Sequence, residues 1–324
     1  MPIGESGEAA YIARMDYIGE IAGLSVAFLW AVTSIFFAEA GRSIGSFRVN
    51  VIRLLIAVGL YTIVLLVVSG QLFPDDLNSR QVFWLALSGL VGLVIGDGCG
   101  FKALVMIGPR LTTVMYSSAP IMATVVAWLF LDETLSWWSL LGIGLTITGI
   151  TWVVLERRGK NNHEISARQR DHPDSGSLAK GVLLGAGAAA GQAIGLVMAK
   201  HGMANAGGTV EPLEASFIRM TAAMILIWLL AALRGHLPSI LSAMRQGKPV
   251  AFSAAGAVAG PFLGVWMSLV AVSYVAVGVA ATLNAMTPVA IIPLVILYYK
   301  EKVSLRATVG AIVAVAGVAI LFLS

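Results

Sequence analysis

Ten stretches of this chain are each long and apolar enough to cross a bilayer, and most of the connections between them are only a few residues long. A spanning helix needs ~20 mostly apolar residues. The stretches are 17–40, 47–69, 82–106, 111–131, 137–155, 178–199, 213–233, 250–274, 277–299 and 305–322, with the shortest breaks at Gly108–Pro109 and Ala276–Gly278. In hydrocarbon each backbone N–H and C=O needs a partner within its own segment, so such runs are read as helices. Composition closes off the alternatives. Charged residues make up 12% of 324 and hydrophobic ones 58%, whereas a soluble domain is about 25% charged. A soluble enzyme, a disordered chain and a nucleic-acid-binding domain are excluded as first readings. The net charge is only +4, and no basic patch lies beside aromatics. One cysteine, Cys99, leaves no intramolecular disulfide and no cysteine-based zinc site. Met1–Met15 carries Glu5, Glu8 and Arg14 and has no secretory pattern, so the first apolar run reads as an uncleaved helix.

The chain repeats itself. Shifted by 168 residues, Gly92 meets Gly260, Gly96 meets Gly264, Pro120 meets Pro288, Glu133 meets Glu301, Gly142 meets Gly310 and Gly149 meets Gly317. Proline and glutamate are scarce here, so those matches weigh most. With a slightly different shift, Val51-Ile-Arg53-Leu resembles Phe217-Ile-Arg219-Met. The expected organisation is a five-helix unit over 17–156, a polar linker over 157–177 and a second five-helix unit over 178–324. Five is odd, so the second unit enters the membrane from the opposite side. Inverted repeats of this kind place a substrate near the midplane, between the units.

Basic residues sort the two faces. Fifteen Lys and Arg flank the face that receives the linker, while Arg14, Arg80 and Lys200 flank the other. The positive-inside rule puts the linker in the cytoplasm and both termini outside.

The order of these motifs resembles the drug/metabolite transporter superfamily, in particular its EamA-like group, across about residues 17–323. The resembling pieces are Phe28-Leu-Trp30-Ala, Ile52-Arg53-Leu, Ser118-Ala-Pro120, Leu131-Asp-Glu133-Thr, Gly142 and Gly149. Their second-half counterparts are Met286-Thr-Pro288, Tyr299-Lys-Glu301-Lys, Gly310 and Gly317. The resemblance implies a ten-helix exporter or exchanger of small metabolites working by alternating access. It leaves the substrate open among amino acids, nucleotide sugars, phosphorylated sugars and drugs. The chain departs from the pattern at Gln192, which stands where the first helix has Trp30. It departs again in the third helix, with Asp97 and Lys102 in a glycine-rich run.

Ionisable groups inside a bilayer are costly and usually face the bundle interior or water. Glu20 and Glu39 lie near opposite ends of the first helix, where headgroup contact or snorkelling explains them. Arg53 and Arg219 sit about two turns inside their helices and are expected near opposite faces. Each either caps neighbouring helix ends or binds an anionic substrate group. Asp97 is either in an ion pair with Arg53 or Lys102 or has a proton or substrate role. Five helical residues place Lys102 ~140° from it, which disfavours that pair. Trp30, Thr33 and Ser34 correspond to the Gln192 segment by repeat logic. Tyr116, Ser117 and Ser118 precede Pro120, and Asn284 and Thr287 precede Pro288, where a proline frees carbonyls of the turn before it. Single hydroxyls usually bond back to their own helix, whereas the amides of Gln192 and Asn284 have more donors and acceptors than a helix can satisfy. The substrate-binding candidates are therefore Trp30, Ser34, Arg53, Asp97, Tyr116, Gln192, Arg219 and Asn284, with Pro120 and Pro288 as helix breaks. Tyr61 and Trp266 read as packing or interfacial-belt residues. Glycines four apart, such as Gly92, Gly96 and Gly100, serve static packing or a sliding surface.

No GxxxxGK[ST], HExxH or intramembrane GxGD occurs, and the GxSxG string Gly41-Arg42-Ser43-Ile44-Gly45 lies between two apolar helical runs and not at a nucleophile elbow, so neither ATP drive nor an intramembrane hydrolase is indicated. A drug or nucleotide-sugar permease of the same fold is the alternative to a metabolite exporter, and a channel or flippase is weakly disfavoured by the inverted repeat. The partners implied are a small-molecule substrate and the lipid bilayer, with no cofactor, metal or nucleic acid. Coupling to protons and the choice between monomer and homodimer stay open.

Overall fold

The computed structural model describes residues 17–73, 77–156, 175–204, 209–299 and 304–323. Residues 1–16, most of the 157–177 linker and Glu301 lie outside the described residues. Among the described residues ten helices are long and apolar enough to cross a membrane: α1 (Ile18–Ile44), α2 (Ser46–Val68), α3 (Ser79–Ala103), α4 (Thr112–Leu131), α5 (Trp137–Leu155), α6 (Leu178–Met203), α7 (Pro212–Leu233), α8 (Gly247–Tyr274), α9 (Val277–Leu294) and α10 (Leu305–Leu323). No strand occurs among the described residues, and a short helix, Leu237–Met244, joins α7 to α8. The protein is an all-helical, multi-pass membrane protein built as two inverted five-helix units.

The helix ends follow local chemistry. Helix α1 runs four residues past its expected end because nothing stops it before Gly45. That residue links α1 to α2 alone, at φ +83°, a conformation that other residues reach only with strain. Helix α3 begins at Ser79 rather than Val82. Asn78 Oδ1 accepts from the Arg80 N–H at 3.1 Å, and Gln81 Oε1 accepts from the Asn78 N–H at 3.1 Å, a reciprocal cap that starts the helix early. Asp132 ends α4 in the left-handed region at φ 54°, which a short polar side chain tolerates. One expected break shifts. The helix Asp97–Tyr116 carries on over Gly108–Pro109, and the interruption comes at Ser117–Ser118. In the second half the chain breaks at Val275, in extended conformation, as expected near Ala276.

Each helix of one unit packs against a helix of the other: α1 on α8, α2 on α7, α3 on α6, α4 on α9 and α5 on α10. Lipid tails are as apolar as leucine, so close packing rather than a hydrophobic drive holds helices together. Glycines supply that closeness. Cβ atoms built on Gly191 and Gly195 would stand 2.7 Å from Gly96 Cα and 3.0 Å from Gly92 Cα, so α3 and α6 touch backbone to backbone. Along α8, Gly256, Gly260 and Gly264 receive Phe37, Thr33 and Trp30 of α1. Gly149 lies against Ala314 and Gly310, and Gly142 against Gly317, at the α5–α10 contact.

Helices α3 and α8 both open into wider π turns, at Leu90–Gly96 and Val258–Gly264. The two segments are 168 residues apart, the same shift that relates the sequence halves. A π turn inserts an extra residue into the helical ladder and often marks a functional position.

Gly191→Ala should lower unfolding stability by ~1–3 kcal/mol, since a backbone lies where its methyl would stand. Gly144→Ala, with nothing within 4 Å, should change stability by less than ~0.5 kcal/mol. Thermal unfolding of the detergent-solubilised chain measures both.

Candidate functional site

A charged cluster lies where α2, α3 and α6 meet. Arg53 of α2 is 4% exposed. Its Nη2 donates to Asp97 Oδ2 in an ion pair, and its Nε donates to Asn50 Oδ1 at 2.7 Å. The guanidinium also sits 5.7 Å from the Phe37 ring centroid and 5.9 Å from that of Phe101, two faces that favour a cation. The other carboxylate oxygen, Oδ1, accepts from Gln192 Nε2 at 2.8 Å, and the same nitrogen reaches the Gly92 carbonyl at 3.2 Å. Asp97 follows the α3 π turn directly, and the Gly96–Gly191 contact draws α6 close enough for Gln192 to reach it. Both units contribute: Arg53 and Asp97 from the first, Gln192 from the second. Lys102 is exposed and takes no part.

Arg219 enters from the other side. Counted along the helix at ~1.5 Å per residue, Arg53 and Arg219 each lie ~10 Å in from their helix starts, in oppositely directed units. Their heads are not left near opposite faces, as the sequence suggested. Arg219 Nη2 lies 3.7 Å from the Cβ position of Gly92, the residue whose carbonyl Gln192 holds. A long side chain spans the remaining distance to the centre. Tyr116 also reaches this region. Its hydroxyl stands where a Cβ on Gly100 would be, within the electrostatic reach of Asp97 and Arg53.

The remaining candidates separate from the cluster. Trp30 Nε1 lies 3.3 Å from the Cβ position of Gly264, at the α8 π turn. It does not meet Gln192; the two are equivalents, each facing the π turn of the other unit. Ser34 donates back to Ala31 O at 2.7 Å. With its amide nitrogen facing two carbonyls, Asn284 donates to Ala280 O at 3.2 Å and Gly23 O at 3.3 Å, tying α9 to α1. Pro120 and Pro288 each start a helical segment after a break. The carbonyls before them are taken up locally: Ser117 donates to Val114 O, Ser118 to Met115 O and Thr287 to Asn284 O.

Several functional contacts had no clear signal in the sequence. Tyr61 is fully buried rather than at an interfacial belt, and its hydroxyl donates to Phe262 O at 2.6 Å and Pro261 O at 3.2 Å, carbonyls of the α8 π turn. Glu20, in the first turn of α1, is buried against the protein at 9% exposure with Oε2 unpartnered, whereas exposed Glu39 pairs with Arg42 at 3.1 Å. Glu133 bridges the units: Oε1 pairs with Lys200 Nζ at 2.7 Å and Oε2 accepts from the Val277 N–H at 2.8 Å, while Lys200 also donates to Val275 O at 2.8 Å. A groove of about 620 Å³ between α1 and α8, with Phe28, Leu263 and Met267 in its wall, has no charged group in its lining.

The sequence matches the EamA-like transporter family over residues 17–155 and 179–323. The chain belongs to that family. It is therefore a membrane transporter of the drug/metabolite type. No curated protein matches this EamA-like chain. A solved structure titled "Crystal structure of protein" is 17% identical, covers 94% of this chain and 96% of its own, and superposes with a TM-score of 0.73. At that identity the likeness concerns the fold alone.

Arg53→Gln should destabilise the protein by ~3–5 kcal/mol, because it strips the largely buried Asp97 carboxylate of its counter-charge. Arg53→Gln combined with Asp97→Asn should cost clearly less than the sum of the single changes. Equilibrium unfolding of the four proteins closes the cycle, and strict additivity would show that the two groups do not interact.

Proposed function

We propose that the protein is a secondary transporter, an exporter or exchanger of small metabolites such as amino acids, working by alternating access between the units 17–156 and 178–324. The observation that carries this reading is the Arg53–Asp97–Gln192 cluster. It is a largely buried ionic group shared between two inverted units and set on an interrupted helix, and transporters built from inverted repeats bind their substrates between the units. Its position between the units supports a role in the motion, since any rocking of one unit against the other pulls Gln192 relative to Asp97. The Glu133–Lys200 bridge supports the same reading from the membrane edge. It joins the α4 end of the first unit to α6 and the α8–α9 break of the second, as a contact that opens and closes one face would.

Fifteen of the eighteen basic residues that flank the two faces lie on the linker side, which supports a cytoplasmic linker in a cell or inner membrane. Asp97, held by one arginine and one amide, is the group best placed to carry a proton in the cycle.

The test is flux in proteoliposomes with labelled amino acids, monocarboxylates, nucleotides and cationic drugs, with and without a pH gradient. Saturable flux of at least one solute is the expected result, and a protein that moves none of them under either condition is not the transporter described. Asp97→Asn should remove the component of flux driven by the pH gradient; an unchanged pH dependence would leave Asp97 a structural tie.

A further inference from the structure

The two halves treat their equivalent arginines differently. In the first half Arg53 has two acceptors, Asn50 Oδ1 and the Asp97 carboxylate. The matching positions in the second half are Ser216 and Val265. Ser216 Oγ is turned back onto its own helix, donating to Pro212 O at 2.7 Å. Val265 is a buried aliphatic residue. Arg219 is as deeply buried as Arg53, at 4% exposure, yet its Nε and Nη1 have no hydrogen-bond acceptor. None of the ion pairs among the described residues includes it.

An arginine does not shed its proton in a protein, so it stays cationic where it is buried. A buried cation is normally retained only with a counter-charge. Arg53 and Asp97 neutralise one another. Arg219 therefore leaves the centre described above with one positive charge in excess, next to Gly92, where no side chain intervenes.

We infer that Arg219 is the binding group for a small organic anion that carries one carboxylate, which takes at Arg219 the place that Asp97 takes at Arg53. The inference rests on the transporter reading and narrows its substrate: among small metabolites it selects monocarboxylates over the zwitterionic amino acids given there as the example. The first half of the chain supplies the chemical precedent: the same residue type, at the equivalent depth, is neutralised by a carboxylate oxygen at Nη2, with an amide oxygen at Nε. The excess of a single charge selects a monoanion. A zwitterion would bring an ammonium group for which this arginine offers no acceptor, and a cation would add to the excess. Arginine suits the role better than lysine, because its planar fork matches a carboxylate with two parallel donors.

Binding is read without flux, by the melting temperature of the full-length, detergent-solubilised protein. The probes are lactate and isovalerate, their neutral isosteres lactamide and isovaleramide, the zwitterion leucine, and inorganic phosphate. At saturation at least one carboxylate should raise the melting temperature by about 3 °C or more, while its amide leaves it unchanged. Arg219→Gln should fold and lose that shift. Should Arg219→Gln fail to fold, Arg219→Lys decides: the concentration giving half the shift should rise about tenfold or more, the size of effect that ~1.4 kcal/mol of binding energy produces. Equal shifts from acid and amide, a response to phosphate or leucine without one to the carboxylates, or an unchanged response in both arginine variants would overturn the inference. Carboxylate binding by a protein that moves no solute would defeat the transport reading alone. Carboxylate-independent flux that persists in Arg219→Gln would defeat only the carboxylate assignment.

Discussion

Backbone contact between α3 and α6 sets the position of everything at the centre of this protein. Gly92 and Gly96 face Gly195 and Gly191 with no side chain between them, so the two helices approach to the limit that their main chains allow. In lipid such contact supplies much of the association energy that water would supply elsewhere. The same closeness has a chemical result. Gln192, next to Gly191, lands within hydrogen-bond distance of both the Gly92 carbonyl and the Asp97 carboxylate. A methyl at Gly191 or Gly195 would stand 2.7–3.0 Å from the α3 backbone, pushing α6 and Gln192 away and leaving Asp97 with Arg53 alone. Packing and electrostatics in this region are therefore one constraint.

The π turns extend the argument. An α-helix offers its carbonyls to its own amides and has little to offer a neighbour. At Leu90–Gly96 and Val258–Gly264 the ladder is wider, and carbonyls become available to side chains from the other unit. Gln192 takes Gly92 O in one, and Tyr61 takes Phe262 O and Pro261 O in the other. Pro261 contributes by removing one donor from its own turn. Each helix is thereby pinned by a polar side chain at its weakest point, and at equivalent places in the two halves. Glu133 and Lys200 provide a second polar tie between the units, away from this centre and near the helix ends.

Much of this was legible in the sequence, for reasons that differ by residue. The ten helices were, because hydrocarbon thickness imposes a length and charge forbids a span. The repeat was, because Pro120 and Pro288 keep register over 168 residues. Arg53 and Asp97 stood out as charges within apolar runs, and the 100°-per-residue geometry set Lys102 aside. Gln192 stood out as an amide where its counterpart is Trp30. The convergence of Arg219 on the same helix as Arg53 was not legible, because helix position gives the depth of Cα and says nothing of where six more bonds of side chain lead. The π turns leave no periodic mark. Ser34, Ser117, Ser118 and Thr287 each donate to a carbonyl one turn back, the outcome that local chemistry favours. Asn284 required a neighbouring helix to be satisfied, and only the fold supplies Gly23 O.

The departure from symmetry follows from the same logic. Inverted units begin with equal chemistry at equivalent depths, and each here keeps a buried arginine on the second helix of its unit. If both had kept an aspartate one helix on, the centre would be neutral and closed, with two internal ion pairs and no excess charge for a solute to meet. Replacing one carboxylate position by Val265 breaks that balance in a single half. The arginine that keeps its internal partner fixes α2 against α3 and α6. The arginine without one retains its charge in a place where an unpaired charge is costly, so the conformation that admits a counter-ion gains stability from it. The alternating access proposed above requires a substrate to bind the states of the two units unequally, and in that proposal the unpaired Arg219 beside the paired Arg53 is where the difference would arise.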